Sequence, residues 1–181
     1  MAAQNIDRYR FRPSDELLFD ANIWLFLYGP SRPSHPKVAI YSGAFKQILA
    51  AKIRVFLDVL VLSEFVNRYA RIRHNLLARQ RSGIPQDFKQ FRNTSFFKSI
   101  AQDIAADTKQ ILGNCTPIES GFARLDLDNL TTDFATGNSD FNDLVLVELC
   151  HSNALKLVTD DGDFKNKAIT ILTANPKLLA P

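Results

Sequence analysis

Three short apolar runs in this chain each end on an aspartate, and nothing else in the sequence constrains the fold as much. "LLFD" closes on Asp20, "VFLD" on Asp58, and "KLVTDDGD" on Asp160, Asp161 and Asp163. A continuous apolar run, rather than an alternating one, is the pattern of a strand buried on both faces. Helical patterns lie between the runs: "KVAIYSGAFKQILAAK", the long "VLVLSEFVNRYARIRHNLLARQR" stopped by Gly83 and Pro85, a stretch over about 94–112, and an apolar helix over about 140–152. Strands are expected at 17–20, 53–58 and 155–159, with further ones in "CTPIE" and at 168–172. Alternating strands and helices predict an α/β fold: a three-layer α/β/α sandwich around a central, mainly parallel sheet. At 181 residues and 46% hydrophobic, the chain suits one globular domain over 1–181.

Parallel strands joined by right-handed crossovers put all their C-terminal ends on one edge, where open sheets of this class bind ligands. The acids therefore converge. The helix after "VFLD" brings Glu64 to that edge. The 140–152 helix runs antiparallel to the strand after it, so its first turn brings Asp140 and Asp143, three apart and on one face. Asp20, Glu64, Asp143 and Asp161 so crowded need a cation. All-oxygen donors suit Mg²⁺ or Mn²⁺, and the absence of a nearby His disfavours zinc. Such a site suits hydrolysis of phosphodiesters.

Each acid also has a plainer reading. Asp58 precedes a helix and is most simply an N-cap. Asp140 or Ser139 caps the 140–152 helix equally well, and Asp140 with Asp143 resembles a capping pair. "TDDGD" reads as a turn with Gly162 at positive φ. Glu64 reads as a half-buried surface residue.

Together the motifs resemble the PIN-domain nucleases, in order and spacing over most of the chain. The matching segments are "FDANIWL", "DVLVLSEF", "DFNDLVLVELC" and "TDDGDF". The resemblance implies a Mg²⁺- or Mn²⁺-dependent endoribonuclease, with Asp20, Glu64, Asp143 and Asp161 as catalytic, metal-binding acids and Asp163 as a further metal ligand. Asn22 and Thr159 match the family's polar residues around them, and Asp140 and Asp160 would stand behind the ligands. Ala21 departs from the pattern, where Thr or Ser is common. Many small bacterial members are toxins of toxin–antitoxin pairs. This chain is longer, by a basic leader over 1–14 and an extended helical region over 65–113.

The helical region carries Arg68, Arg71, Arg73, His74, Arg79 and Arg81, then Lys89, Arg92 and Lys98. The leader adds Arg8, Arg10 and Arg12, interleaved with Tyr9 and Phe11. A basic flank beside the acids would receive RNA, with Arg68, Arg71 and Arg79 on its phosphates and an aromatic ring of the leader under a base. The plainer reading is a solvated helix face. Phe88, Phe91, Phe96 and Phe97 offer the same region as a surface for an antitoxin or a second copy in a homodimer. The net charge of +3 decides nothing about partners. Cys115 and Cys150 form no CxxC pair, and Cys150 reads as a core residue. The start of the chain lacks a signal peptide's apolar segment, and no apolar run is long enough to span a membrane, so a cytoplasmic protein is expected. Two other functions compete: a catalytically inactive PIN-like module that binds RNA or protein, and a phosphatase forming a phospho-aspartate. The latter usually wants an Asp where Asn22 stands.

Overall fold

Leu17, Leu18 and Phe19 are at most 1% exposed, and the strand that holds them, β2 (Glu16–Phe19), is the centre of the molecule. The computed structural model describes residues 3–30 and 34–180. Among these, six strands form one sheet in the order β1–β6–β5–β2–β3–β4. The other strands are β1 (Gln4–Asn5), β3 (Arg54–Leu57), β4 (Thr116–Pro117), β5 (Lys156–Val158) and β6 (Ile171–Thr173). Every pairing is parallel, with Leu18 opposite both Phe56 and Leu157. A sheet covered on both faces needs apolar side chains on both, which is why these runs do not alternate.

From β2 the chain passes through α1 (Ala21–Leu27) and α2 (Pro36–Ala50) to β3. It then follows α3 (Val59–Gln80), α4 (Phe88–Phe91) and α5 (Ser95–Asn114) out to the edge strand β4. The return through α6 (Leu127–Ala135) and α7 (Phe141–Ser152) goes back across the sheet to β5. Right-handed crossovers in opposite directions place α1–α5 on one face and α6–α7 on the other, giving three layers. Trp24, fully buried, packs α1 against the core through Phe19 and Phe45, with ring centroids 5.0 and 5.6 Å away. Cys150 is 1% exposed in the same core, as expected for a structural thiol. A last short helix, α8 (Pro176–Leu179), follows β6. No helix of the described residues is long and apolar enough to cross a membrane.

Most elements match their expected positions to within two residues. The strand expected at 168–172 instead pairs at Ile171–Thr173, and "CTPIE" contributes only Thr116–Pro117. α3 ends at Gln80 on an extended cap, Arg81, and Gly83, at φ +80°, makes the turn just beyond it. Gly162 is not at positive φ: the "TDDGD" turn is made instead by a one-turn 3-10 helix, Gly162–Phe164, capped by the Asp161 side chain.

The leader, described from Ala3 onward, corrects the picture of a tail lying beside the acids. Gln4 and Asn5 add an edge strand to β6, and Ile6 is buried. Tyr9 and the Arg12 amide then donate hydrogen bonds to Asp15, at 3.2 and 2.8 Å. Lys156, the first residue of β5, closes an ion pair with the same carboxylate. Asp15 and Lys156 mark the N-terminal ends of β2 and β5, so the leader is fastened at the opposite edge from Asp20. Burial opposes ionisation of Asp15, but Lys156, the Arg12 amide and Tyr9 outweigh it and hold the carboxyl below its ordinary value. That stabilisation is complete above about pH 4, the ordinary value, and fades as the pH falls through the lowered one. Asp15→Asn should therefore cost about 1–3 kcal/mol at neutral pH. In thermal melts at a series of pH values, the gap between variant and parent should shrink below about pH 4.

Candidate active site

The strand order reverses beside β2. From β2 the chain moves one way to β3 and β4, while β5 and β6 lie on its other side. In open sheets of this class a switch point is where ligands bind, and here it falls between the C-terminal ends of β2 and β5. Asp20 leaves β2 there as the residue before α1, and Thr159 leaves β5 beside it. Both are buried, at 4% and 0% exposed. The Thr159 hydroxyl donates to Asp20 Oδ2 at 2.7 Å, and the Asn22 amide donates to the same oxygen. Asn22 also donates to Thr159 Oγ1 at 3.2 Å and accepts from the Asp160 amide at 3.1 Å. The Asp161 amide donates to Thr159 Oγ1 at 3.0 Å. One threonine and one asparagine thus tie the ends of both strands to one carboxylate. Asp20 occupies an N-cap position, yet its side chain makes no capping hydrogen bond.

Asp58, by contrast, is a cap: its Oδ1 accepts from the Leu60 amide at 2.7 Å, as the plainer reading held. Asp140 caps α7, accepting from the Asn142 amide at 2.8 Å. Ser139 does not; its hydroxyl accepts from Lys167 at 2.6 Å. Asp143 follows in the first turn of α7, without a cap to make.

The carboxylates of this edge act on one another. Burial, then Glu64 and Asp161, push Asp20 up to about 6 against the opposing hydrogen bond from Thr159. Burial, then Asp20, Asp161, Asp140 and Glu64, push Asp143 up to about 7. So the structure brings Asp20, Glu64, Asp143, Asp161 and Asp140 into one electrostatic neighbourhood. Asp163 is exposed on the 3-10 turn, where its amide donates to Asp161 Oδ1 at 3.1 Å. Asp160 turns the other way, to an ion pair with Lys37 and a 2.8 Å hydrogen bond from Tyr41.

All donors at this edge are oxygens, and their mutual repulsion is what a hard divalent cation would relieve, so the residues suit Mg²⁺ or Mn²⁺. Among the described residues, though, no three His, Cys, Asp or Glu side chains are gathered as ready-made ligands of one ion. Carboxylates without a counter-charge stand apart, and Glu64 is held 2.8 Å from Arg68, one turn further along α3.

Of the three arginines expected to receive RNA, Arg68 and Arg71 line a recess of about 260 Å³ with Glu64, Asn67 and Asn142. Arg71 also lies over the Phe88 ring, 4.8 Å from its centroid. Arg79 is on the same helix but fifteen residues beyond Glu64, about 22 Å along the axis, and does not reach this edge. Phe88, Phe91 and Phe97 pack on one another and on His74, and Phe91 is fully buried. Phe91 is inner packing of the α3–α5 hairpin, whereas Phe88 and Phe97 are half-buried and line an apolar recess of about 560 Å³, and Phe96 is exposed.

Sequence reasoning missed the supports behind the Thr159–Asp161 segment. Tyr41 on α2 accepts from the Ala174 amide at 2.9 Å while donating to Asp160. Asn175 donates to the Asp160 carbonyl at 2.6 Å. Nothing in the local sequence marks either, because each bond spans distant parts of the chain.

No family model matches this chain, and no curated protein does. Among solved structures it is similar to VapBC2 from Rickettsia felis, in a crystal structure bound to a DNA fragment from their promoter. The likeness has a TM-score of 0.54 at 14% identity and covers 87% of this chain and 98% of that one. At that identity the likeness is one of fold, an α/β architecture consistent with the PIN-like one that the motifs imply.

The raised values of Asp20 and Asp143 make a stability prediction with a definite sign. An acid whose folded pKa lies above its unfolded one binds more protons in the native state, so stability falls as the pH rises between the two values. In chelator, the melting temperature should decline from about pH 4 to about pH 7, with Asp143→Asn flattening the upper part of that decline. Thermal melts across this range test it; an unchanged slope in the variant would remove Asp143 from the cluster.

Proposed function

We propose that the protein is a metal-dependent endoribonuclease of the PIN type. Asp20, Glu64, Asp143 and Asp161 would hold Mg²⁺ or Mn²⁺, with Asp163 at the rim. The observation that carries this reading is that buried Asp20 and half-buried Asp143 lie at one sheet edge, where burial and then the other acids of the edge push both up. A bound divalent cation would orient a water, lower its pKa and stabilise charge on phosphorus. The rest falls to the chain. Thr159 and Asn22 fix the rotamer of Asp20 by donating to one of its oxygens, leaving the carboxylate directed by the strand ends rather than by a cap. Asp140 secures the start of α7, and with it the position of Asp143. Arg68, Arg71, Asn67 and Asn142 line a recess beside Glu64 where phosphates of an RNA strand would lie. When phosphate or cation arrives, Arg68 can exchange Glu64 for a phosphate oxygen at little cost, because their exposed pair is worth at most about 1 kcal/mol.

The fold likeness to VapBC2 favours a chain that works as one half of a pair, so a toxin restrained by an antitoxin is part of the proposal. A second reading, an inactive PIN-like binding module, is favoured by the Glu64–Arg68 pair, which removes one acid from the cluster. Asp143→Asn separates the two. Asparagine keeps the first turn of α7 but is a poor ligand for a hard cation, so the variant should fold, melt no lower than the parent in chelator, and lose RNA cleavage and stabilisation by Mg²⁺ or Mn²⁺. The parent should cleave RNA with either ion and stop with EDTA. Cleavage by the variant at the parent's rate would reject the assignment of Asp143, and a parent inert with both ions would favour the module.

A further inference from the structure

The leader, placed at the edge away from the acids, has a pattern of its own. Arg8, Arg10 and Arg12 are exposed, while Tyr9 and Phe11 between them are half-buried. Arg8 closes a 3-10 turn, Ile6–Arg8, and the chain is extended from Tyr9, so Arg10 and Arg12 point away from the rings that anchor the segment and Arg8 joins them at its near end. The segment is fixed in place. Its near end is held by β1 and buried Ile6, its middle by Tyr9 against Asp15 and by Phe11 at 5.1 Å from Tyr9, and its far end by the Arg12 amide on Asp15. Beside it opens a cavity of about 620 Å³, lined by all three arginines together with Asn5, Tyr9 and Lys156. Asp15 is committed to Lys156. Among the described residues no carboxylate, Asp7 included, forms an ion pair with Arg8, Arg10 or Arg12.

Three like charges held side by side on an anchored segment, without a counter-ion of their own, repel one another unless an anion lies across them. Charges spread along a segment suit a linear polyanion better than a compact one. We propose that this edge is a second nucleic-acid-binding surface, taking successive phosphates of a single strand on Arg8, Arg10 and Arg12. It is separate from the acidic edge and does not depend on the acids being catalytic.

The test uses the full chain in EDTA, where no cleavage is expected, with binding of a fluorescent single-stranded RNA followed by anisotropy at several salt concentrations. In the Arg8→Gln/Arg10→Gln/Arg12→Gln protein, with its melting temperature checked against the parent, affinity at low salt should fall at least about tenfold. The slope of log K against log salt should fall by about 2, the sum of three phosphate contacts at about 0.7 each. Arg68→Gln/Arg71→Gln should leave that leader-dependent part in place. Unchanged affinity and slope in the triple variant, or no RNA binding by the parent, would overturn the proposal. So would competition by polyglutamate as effective as by unlabelled RNA, which would assign the arginines to an acidic protein segment, or by inorganic triphosphate, which would assign them to a small anion. Because binding is read without turnover, failure of the nuclease reading leaves this result unaffected.

Discussion

Parallel pairing on both sides of β2 is the constraint on which the rest of the structure depends. With Leu18 registered against Phe56 on one side and Leu157 on the other, the ends of three strands fall level. Asp20 and Thr159 then meet, although they are far apart in sequence. A shift of one residue in either pairing would exchange the two buried faces on which the β2 side chains pack and carry Asp20 away from Thr159. The hydrophobic demand of the central strand and the geometry of the acidic edge are therefore one requirement.

Burial works in opposite senses at the two ends of that strand. At its start, Asp15 is buried beside a lysine, an amide and a phenol, and is kept charged. At its end, Asp20 is buried beside other acids, and its charge is resisted. The first arrangement is self-contained and fastens the leader. The second leaves its charge without a partner of opposite sign, and perturbed acids of that kind are a common mark of a functional site.

The sequence made the sheet legible because each strand run is apolar without interruption and ends on a polar residue, and because Gly83 and the Asp caps punctuate the helices. Convergence of Asp20, Glu64 and Asp143 followed from handedness alone. What was not legible depended on partners far along the chain. Nothing near Asp160 indicates that Lys37 and Tyr41 turn it away from the other acids. The two-residue strand at Gln4–Asn5 is too short to leave a pattern, so nothing in the sequence shows that the leader is fastened at the edge away from the acids. Helix length, which the sequence does carry, was enough to separate Arg79 from Glu64, but a list of basic residues conceals it.

The margins of the sheet have a bearing on how this molecule can meet another. β1 and β4 are two residues long, and β4 ends on Pro117, which has no amide to donate. Neither margin presents a row of hydrogen-bonding groups long enough to template a further strand. Strand addition, the simplest route by which an open parallel sheet joins a neighbour or grows into an aggregate, is closed at both sides. Association is then left to side chains, on the helical layers or the leader, where contact is selective by shape and charge, rather than to the backbone, which pairs with any extended chain it encounters.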